Sequence, residues 1–169
     1  MVDGFMRLGA VSFAAHGSEA VWERSFPTGK KGRPLSVDVC LFNAKRNEEA
    51  RVEFGVYTLA KLRSDAKKLA VDLSAAEPHK VSNFVMLWRT REKGVVVTST
   101  TWRDTCIRDA KAASTPTHEV KMEVASEQDM FVARSADRRK VQVALFSVIA
   151  LNRNGGADPA PDNTIDLPL

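Results

Sequence analysis

At 169 residues, with 44% hydrophobic and 27% charged side chains, the chain has the length and make-up of one globular domain with a real core, which excludes disordered and fibrous classes. It carries 25 Lys and Arg against 21 Asp and Glu, a net +4, which permits a polyanionic partner without demanding one. Its two cysteines, Cys40 and Cys106, stand in no CxxC or Cys/His spacing, so zinc frameworks are disfavoured and a reducing compartment fits.

Residues 1–15 lack the basic head and sustained apolar core of a signal peptide, and no apolar run approaches the roughly 20 residues that span a bilayer. The expectation is a soluble protein made without export. Residues 1–20 scatter Phe5, Leu8, Val11 and Phe13 among small residues, which suits a short strand or a loose arm. Residues 21–26 (VWERSF) alternate weakly. Pro27-Thr28-Gly29-Lys30-Lys31-Gly32-Arg33-Pro34 is a breaker and a surface turn. Its GKKG lacks the GxxxxGK[ST] spacing of a phosphate loop.

Leu35–Phe42 (LSVDVCLF) alternates apolar and polar residues and reads as a strand, and 51–57 (RVEFGVY) reads as its hairpin partner. The period then changes. Leu59, Leu62, Ala66, Leu69 and Leu73 recur at helical spacing, with Lys61, Arg63, Lys67 and Lys68 between them, predicting an amphipathic helix with a solvated basic face. Pro78 breaks the chain before 80–90 (KVSNFVMLWRT), a strand. The turn Arg91-Glu92-Lys93-Gly94 joins it to a second predicted strand, 95–102 (VVVTSTTW). Residues 103–117 read as a polar loop and 119–133 as a further strand. Ser135 as a cap, the apolar run to Asn152 and the stop at Gly155-Gly156 predict a C-terminal helix over 135–154. Residues 157–169, acidic and proline-rich, form an extended tail. Residues 1–169 are thus expected to make one α+β domain, with 1–34 as an N-terminal extension.

Catalytic chemistry finds little support. His16, His79 and His118 stand in no recognisable nucleophile motif, Glu119 and Glu123 suit cross-strand pairing, and no GxGxxG is present. The expectation is a protein that is not an enzyme and takes no cofactor and no metal. Strand parity instead divides residues 119–124 into an apolar face (Val120, Met122, Val124) and a polar face (Glu119, Lys121, Glu123). A sheet with one face of Thr, Ser, Lys and Arg suits RNA, with Trp88 able to stack on a base.

The order of parts resembles the coat proteins of single-stranded RNA bacteriophages, the leviviral coats. The run that carries the likeness is KVSNFVMLWRTREKGVVVTSTTW, the loop RDTCIRDAKAASTPT, then HEVKMEVASEQDMFVA and SADRRKVQVALFSVIALNRNGG. The resemblance implies an N-terminal hairpin, an antiparallel β-meander and a C-terminal helix in an interlocked homodimer that builds an icosahedral shell around single-stranded genomic RNA. It implies a non-enzymatic coat in the virion, assembled in the host cytoplasm without a membrane, and repression of translation through an RNA hairpin. It places Lys80, Ser82, Arg89, Arg91, Thr98, Thr100 and Lys121 in the RNA-binding strands, and Val141, Leu145 and Val148 in the helix that packs on the partner. It also makes Cys106, in the loop around the shell axes, a candidate for an inter-subunit disulfide. The first 34 residues and the helix at 59–73 depart from that pattern.

A rival reading rests on the same C-terminal stretch. Residues 140–151 (KVQVALFSVIAL) are rich in β-branched residues and also suit a final strand. The chain then resembles an all-β jelly-roll, a plant-virus-type capsid or cell-to-cell movement protein, with GRPLSVDVCLFNAKR carrying the latter likeness although Asn43 stands where an acid is typical. A dimeric nucleic-acid-binding module is the remaining alternative.

Overall fold

A six-stranded mixed sheet in the order β1-β2-β3-β4-β6-β5 forms the frame of the computed structural model, which describes residues 19–27, 34–73, 81–91, 99–132 and 139–152. The elements are β1 (Glu19–Phe26), β2 (Leu35–Phe42), β3 (Glu48–Val56), α1 (Leu59–Lys67), β4 (Ser82–Arg91), α2 (Ser99–Ala110), β5 (His118–Val132) and β6 (Arg139–Asn152). A π-helical turn, Lys68–Asp72, prolongs α1, and a 3-10 turn, Lys111–Ala113, prolongs α2.

The N-terminal half follows the sequence closely. β2 and β3 pair as the expected antiparallel hairpin, Val39 opposite Val52. β1 pairs antiparallel with β2, so part of the stretch read as an extension belongs to the sheet. Its ladder skips Glu23, which has φ 48°, a left-handed conformation uncommon outside glycine. The side-chain alternation slips there: Val37 packs in the helix-side core, Val39 in the core of the other face.

Thr58 starts α1 by accepting the Lys61 amide on its hydroxyl at 3.1 Å, satisfying one of the free donors of the first turn. Leu62, Ala66, Leu69, Ala70 and Leu73 bury the apolar stripe. Carrying the chain back across the sheet in this way lets β4 run parallel to β3, with Val52 opposite Phe84, because parallel neighbours need a long crossover.

The C-terminal half corrects the sequence reading. Ser99–Ala110 is helical where a strand ending at residue 102 and a polar loop were expected. Trp102, Cys106, Ala110 and Ala113 are all buried, a stripe of period near four that the β-branched run before it disguises. The expected hairpin turn at 92–94 and strand residues 95–98 lie outside the described residues. β4 is flanked instead by β3 and β6.

The predicted C-terminal helix is also corrected, because Arg139–Asn152 is a strand. It pairs antiparallel with β4 on one side and β5 on the other, Met86 and Ser126 both opposite Leu145. A helix cap contributes about 1 kcal/mol, whereas a central strand satisfies its backbone on both edges and buries alternate side chains on each face. Val141, Val143, Val148 and Ile149 are of the β-branched type that fits such a surface. The antiparallel meander is therefore a mixed sheet, and a jelly-roll does not describe a single sheet with a parallel pair and two helices. The coarse α+β class stands. The tail, 157–169, lies outside the described residues.

Both helices pack on one face of the sheet. Leu62, Ala66, Leu69, Trp102, Cys106 and Ala110 form one core with Val85, Leu87, Val120, Met122, Ala144, Phe146 and Val148. The second face holds a smaller cluster drawn from strands alone, namely Val39, Ala50, Val52, Phe54 and Phe84.

Candidate functional site

Parity along β4 separates the residues that the leviviral resemblance grouped for RNA. Ser82 shares a face with Phe84, Met86 and Trp88, away from the helices, while Val85 and Leu87 enter the helix-side core. Arg89 follows Leu87 and lies beneath α2. Its guanidinium stands 4.7 Å over the Trp102 ring, and its Nε donates to Gln142 Oε1 at 2.9 Å. Lys121 is exposed between Glu119 and Glu123, while Val120 and Met122 are buried, so residues 119–124 divide as read from sequence. Ser82 and Lys121 therefore share the helix-free face, but on β4 and β5 with β6 between them, some 10 Å apart at the usual strand spacing. Thr100 lies in the first turn of α2 and not in a strand. Arg91 closes β4, and Lys80 and Thr98 lie outside the described residues. The five of these seven that lie among the described residues do not converge.

What does converge on the helix-free face is aromatic. Trp22 on β1 lies 5.2 Å from Phe54 on β3, and Phe54 lies 6.5 Å from Trp88 on β4, both pairs tilted. Such centroid spacings are favourable for aromatic pairs. Val56 shares parity with Val52 and Phe54 and sits opposite Trp88 in the ladder. Trp22 is 37% and Val56 57% exposed, so one end of this row faces solvent. The alternations Val52-Phe54-Val56 and Phe84-Met86-Trp88 carry the signal in the sequence. Joining them requires the parallel β3–β4 pairing.

The helix side holds buried charge in two networks. In the first, Glu48 accepts from Arg51 Nη2 at 2.8 Å and Nε at 3.2 Å and pairs with Arg24 Nη1 at 3.1 Å. Both guanidinium groups cover the Phe26 ring, at 4.7 Å for Arg51 and 4.8 Å for Arg24, and Arg24 also covers Phe42. Burial pulls the Glu48 carboxyl upward, but hydrogen bonds from Arg51 and Cys40 and the two arginine charges hold it below its ordinary value. In the second network, Glu53 on β3 pairs with Lys68, which also donates to the Ser36 carbonyl at 2.8 Å. Lys61 pairs with Asp65 at 2.8 Å, and its stem crosses Gly55, where a Cβ would collide with Lys61 Cε. Burial, reinforced by Asp38 and Asp65 and opposed by Lys68, raises Glu53 to about 7. These networks tie β1, β2 and β3 to one another and α1 to the sheet. No group of three His, Cys, Asp or Glu suited to a metal ion occurs among the described residues.

Cys40 and Cys106 are free thiols, both fully buried. Cys106, which the leviviral resemblance placed in a loop as a candidate for an inter-subunit disulfide, stands instead in α2, buried within its own chain. Burial pushes its thiol up to about 12. The three residues assigned to helical dimer packing lie in β6. Val148 is 4% exposed in the helix-side core of its own chain, in a strand and not in the helix that the resemblance implied. Val141 is buried, and Leu145 is half-buried beside the smaller cluster of the opposite face. No described helix is long and apolar enough to cross a membrane.

Comparison with protein-family models, with curated proteins and with solved structures found no match to this chain.

Proposed function

We propose that this chain is a non-enzymatic structural protein that associates with further copies of itself through its sheet, as the subunit of a shell enclosing single-stranded RNA. The observation that carries this reading is the helix-free face. A two-layer domain covers one side of its sheet with helices, and here the other side ends in two exposed apolar residues, Trp22 and Val56, beside half-buried Trp88 and Leu145 and the buried Phe54. An apolar surface of this kind with an exposed aromatic is the make-up of a subunit contact. The sheet edge adds to it. β5 is terminal in the strand order, and its Glu119-Lys121-Glu123 row is self-complementary, since an antiparallel second copy shifted by one pair sets each Lys121 against a glutamate.

RNA enters through the net charge of +4 and through Ser82 on the helix-free face. Assembly then occurs in the host cytoplasm and the product is the virion. The reading keeps the coat function of the leviviral pattern without its helical interlock, because the segment meant to interlock is a central strand. Partner contact through the sheet takes its place. Repression of translation through an RNA hairpin belongs to the same proposal.

Light scattering after size-exclusion chromatography, with electron microscopy of the same fractions, tests it. Particles tens of nanometres across that absorb as nucleoprotein are expected. Val56→Asp with Trp22→Ser is expected to abolish them while leaving the circular dichroism unchanged. A discrete dimer that binds RNA would replace the shell with a nucleic-acid-binding module, and a monomer at high concentration would defeat self-association altogether.

A further inference from the structure

Beneath α2, three elements bring hydrogen-bond donors together, and two of those donors, on β6 and α2, lack an acceptor. Arg89 and Gln142 stand opposite each other in the β4–β6 ladder, and Trp102 descends on them from α2. Gln142 is 0% exposed and Trp102 2%. The Gln142 carboxamide is oriented by Arg89, whose Nε donates to its Oε1 at 2.9 Å, which leaves Nε2 as a pure donor. The Trp102 ring is fixed on three sides, by Arg89 over its face and by Tyr57 and Phe146 edge-on at 5.8 and 6.5 Å. Yet Gln142 Nε2 and Trp102 Nε1 are buried and find no hydrogen-bond partner among the described residues. Folded proteins rarely keep such atoms unmatched, and each one calls for a partner.

The chemistry of that partner follows from the donors. Both unmatched atoms are N–H groups, and the charged group between them is a guanidinium held by stacking and by Gln142, the arrangement that receives oxyanions well. The neighbouring thiol and phenol supply no negative charge, since burial pushes both Cys106 and Tyr57 upward and keeps them protonated. Asp109 lies near them, but its Oδ1 is taken by Arg108 Nε at 3.3 Å. Tyr57, Arg89 and Arg103 are only half-buried, so the cluster borders the surface on that side. We propose that Arg89, Gln142 and Trp102 form a binding site for the oxygens of a phosphate group, either free phosphate or the monoester of a nucleotide. This site is on the helix side and does not depend on the shell reading.

Equilibrium dialysis of the full chain against radiolabelled inorganic phosphate, and separately against a 5′-ribonucleoside monophosphate, tests it whatever the particle size. Saturable binding of either solute at one site per chain is expected. Phosphate alone would identify the free anion as ligand, and the nucleotide alone the ester. Gln142→Leu and Trp102→Phe, each of which removes one donor and keeps the shape, should each weaken binding about tenfold. Arg89→Met should weaken it more, and Lys45→Ala in the exposed β2–β3 turn should leave it unchanged. Melting curves check that each variant folds, and the two single-donor variants stand in for each other if one does not. No saturable binding of either solute, or binding indifferent to both donor variants, overturns the proposal and assigns the two N–H groups to enclosed water.

Discussion

Replacing Glu53 by Gln tests how buried charge sets the pH dependence of this fold. Glu53 is 1% exposed and is faced by Lys68 from the π-turn, Asp65 and Lys61 from α1 and Asp38 from β2. Burial raises its carboxyl from 4.5 to about 7. Between those values the native protein keeps a proton that the unfolded chain has released, so the unfolded state binds fewer protons and stability falls as pH rises, by about 1.4 kcal/mol per pH unit. The contribution is complete below the unfolded value and gone above the folded one, on the order of 3 kcal/mol across the interval. Asp65, raised by burial against the pull of Lys61, acts with the same sign. Glu48, held low, acts oppositely, with stability present above its ordinary value and lost on acidification below it. Lys61, raised by Asp65 against its own burial, matters only on the alkaline side of its ordinary value. Urea unfolding from about pH 5 to about pH 8 should therefore show the natural protein weakening with rising pH and Glu53→Gln showing a flatter profile. Equal slopes in the two proteins, or stability that climbs between pH 5 and 7, would refute the assignment of that proton to Glu53.

Arg51→Met should cost about 3 kcal/mol in urea unfolding, because among the described residues it leaves the buried Glu48 carboxylate with Arg24 as its remaining cation. A loss below 1 kcal/mol would show that the network contributes little. Thr58→Ala should cost about 1 kcal/mol by removing the α1 cap, and Thr58→Ser, which keeps the acceptor, should restore most of it. Cys40 and Cys106 should resist a thiol reagent in the native protein and react together once denaturant unfolds it. Rapid labelling of Cys106 in the native state would contradict its burial.

Legibility in the sequence tracked how local the deciding interaction was. β2 was readable to the residue because alternation over LSVDVCLF needs no partner to be seen, and α1 was readable because Leu62, Ala66, Leu69 and Leu73 share one stripe. Trp102, Cys106 and Ala110 carried the same helical stripe in α2, but Val95, Val96, Val97 and the threonines before it weighted the reading toward strand. The candidate site was less visible. Arg89 reads as a surface cation beside Arg91, and only the pairing with β6 shows it under α2 against Gln142. The aromatic row joins residues 22, 54 and 88, and no spacing along the chain links them.

The segment 139–152 shows why the remaining decision could not be local. Its side chains are apolar almost throughout, so it lacks the polar stripe that marks a surface helix and also the strict alternation that marks a half-solvated strand. Either form needs to be covered all round: a helix by a second molecule, a strand by neighbours on both edges and layers on both faces. The chain itself supplies the second solution. β4 and β5 take the two edges, and α2 with the π-turn after α1 lies over the face that carries Ala144, Phe146 and Val148. On the opposite face Val143, Leu145 and Ile149 are half-buried and Val141 and Ser147 buried, beside the aromatic row. The proposed self-association therefore rests on the sheet face and not on a helix, which makes the exposed Val56 and Trp22, and not the buried Val148, the residues whose replacement tests it.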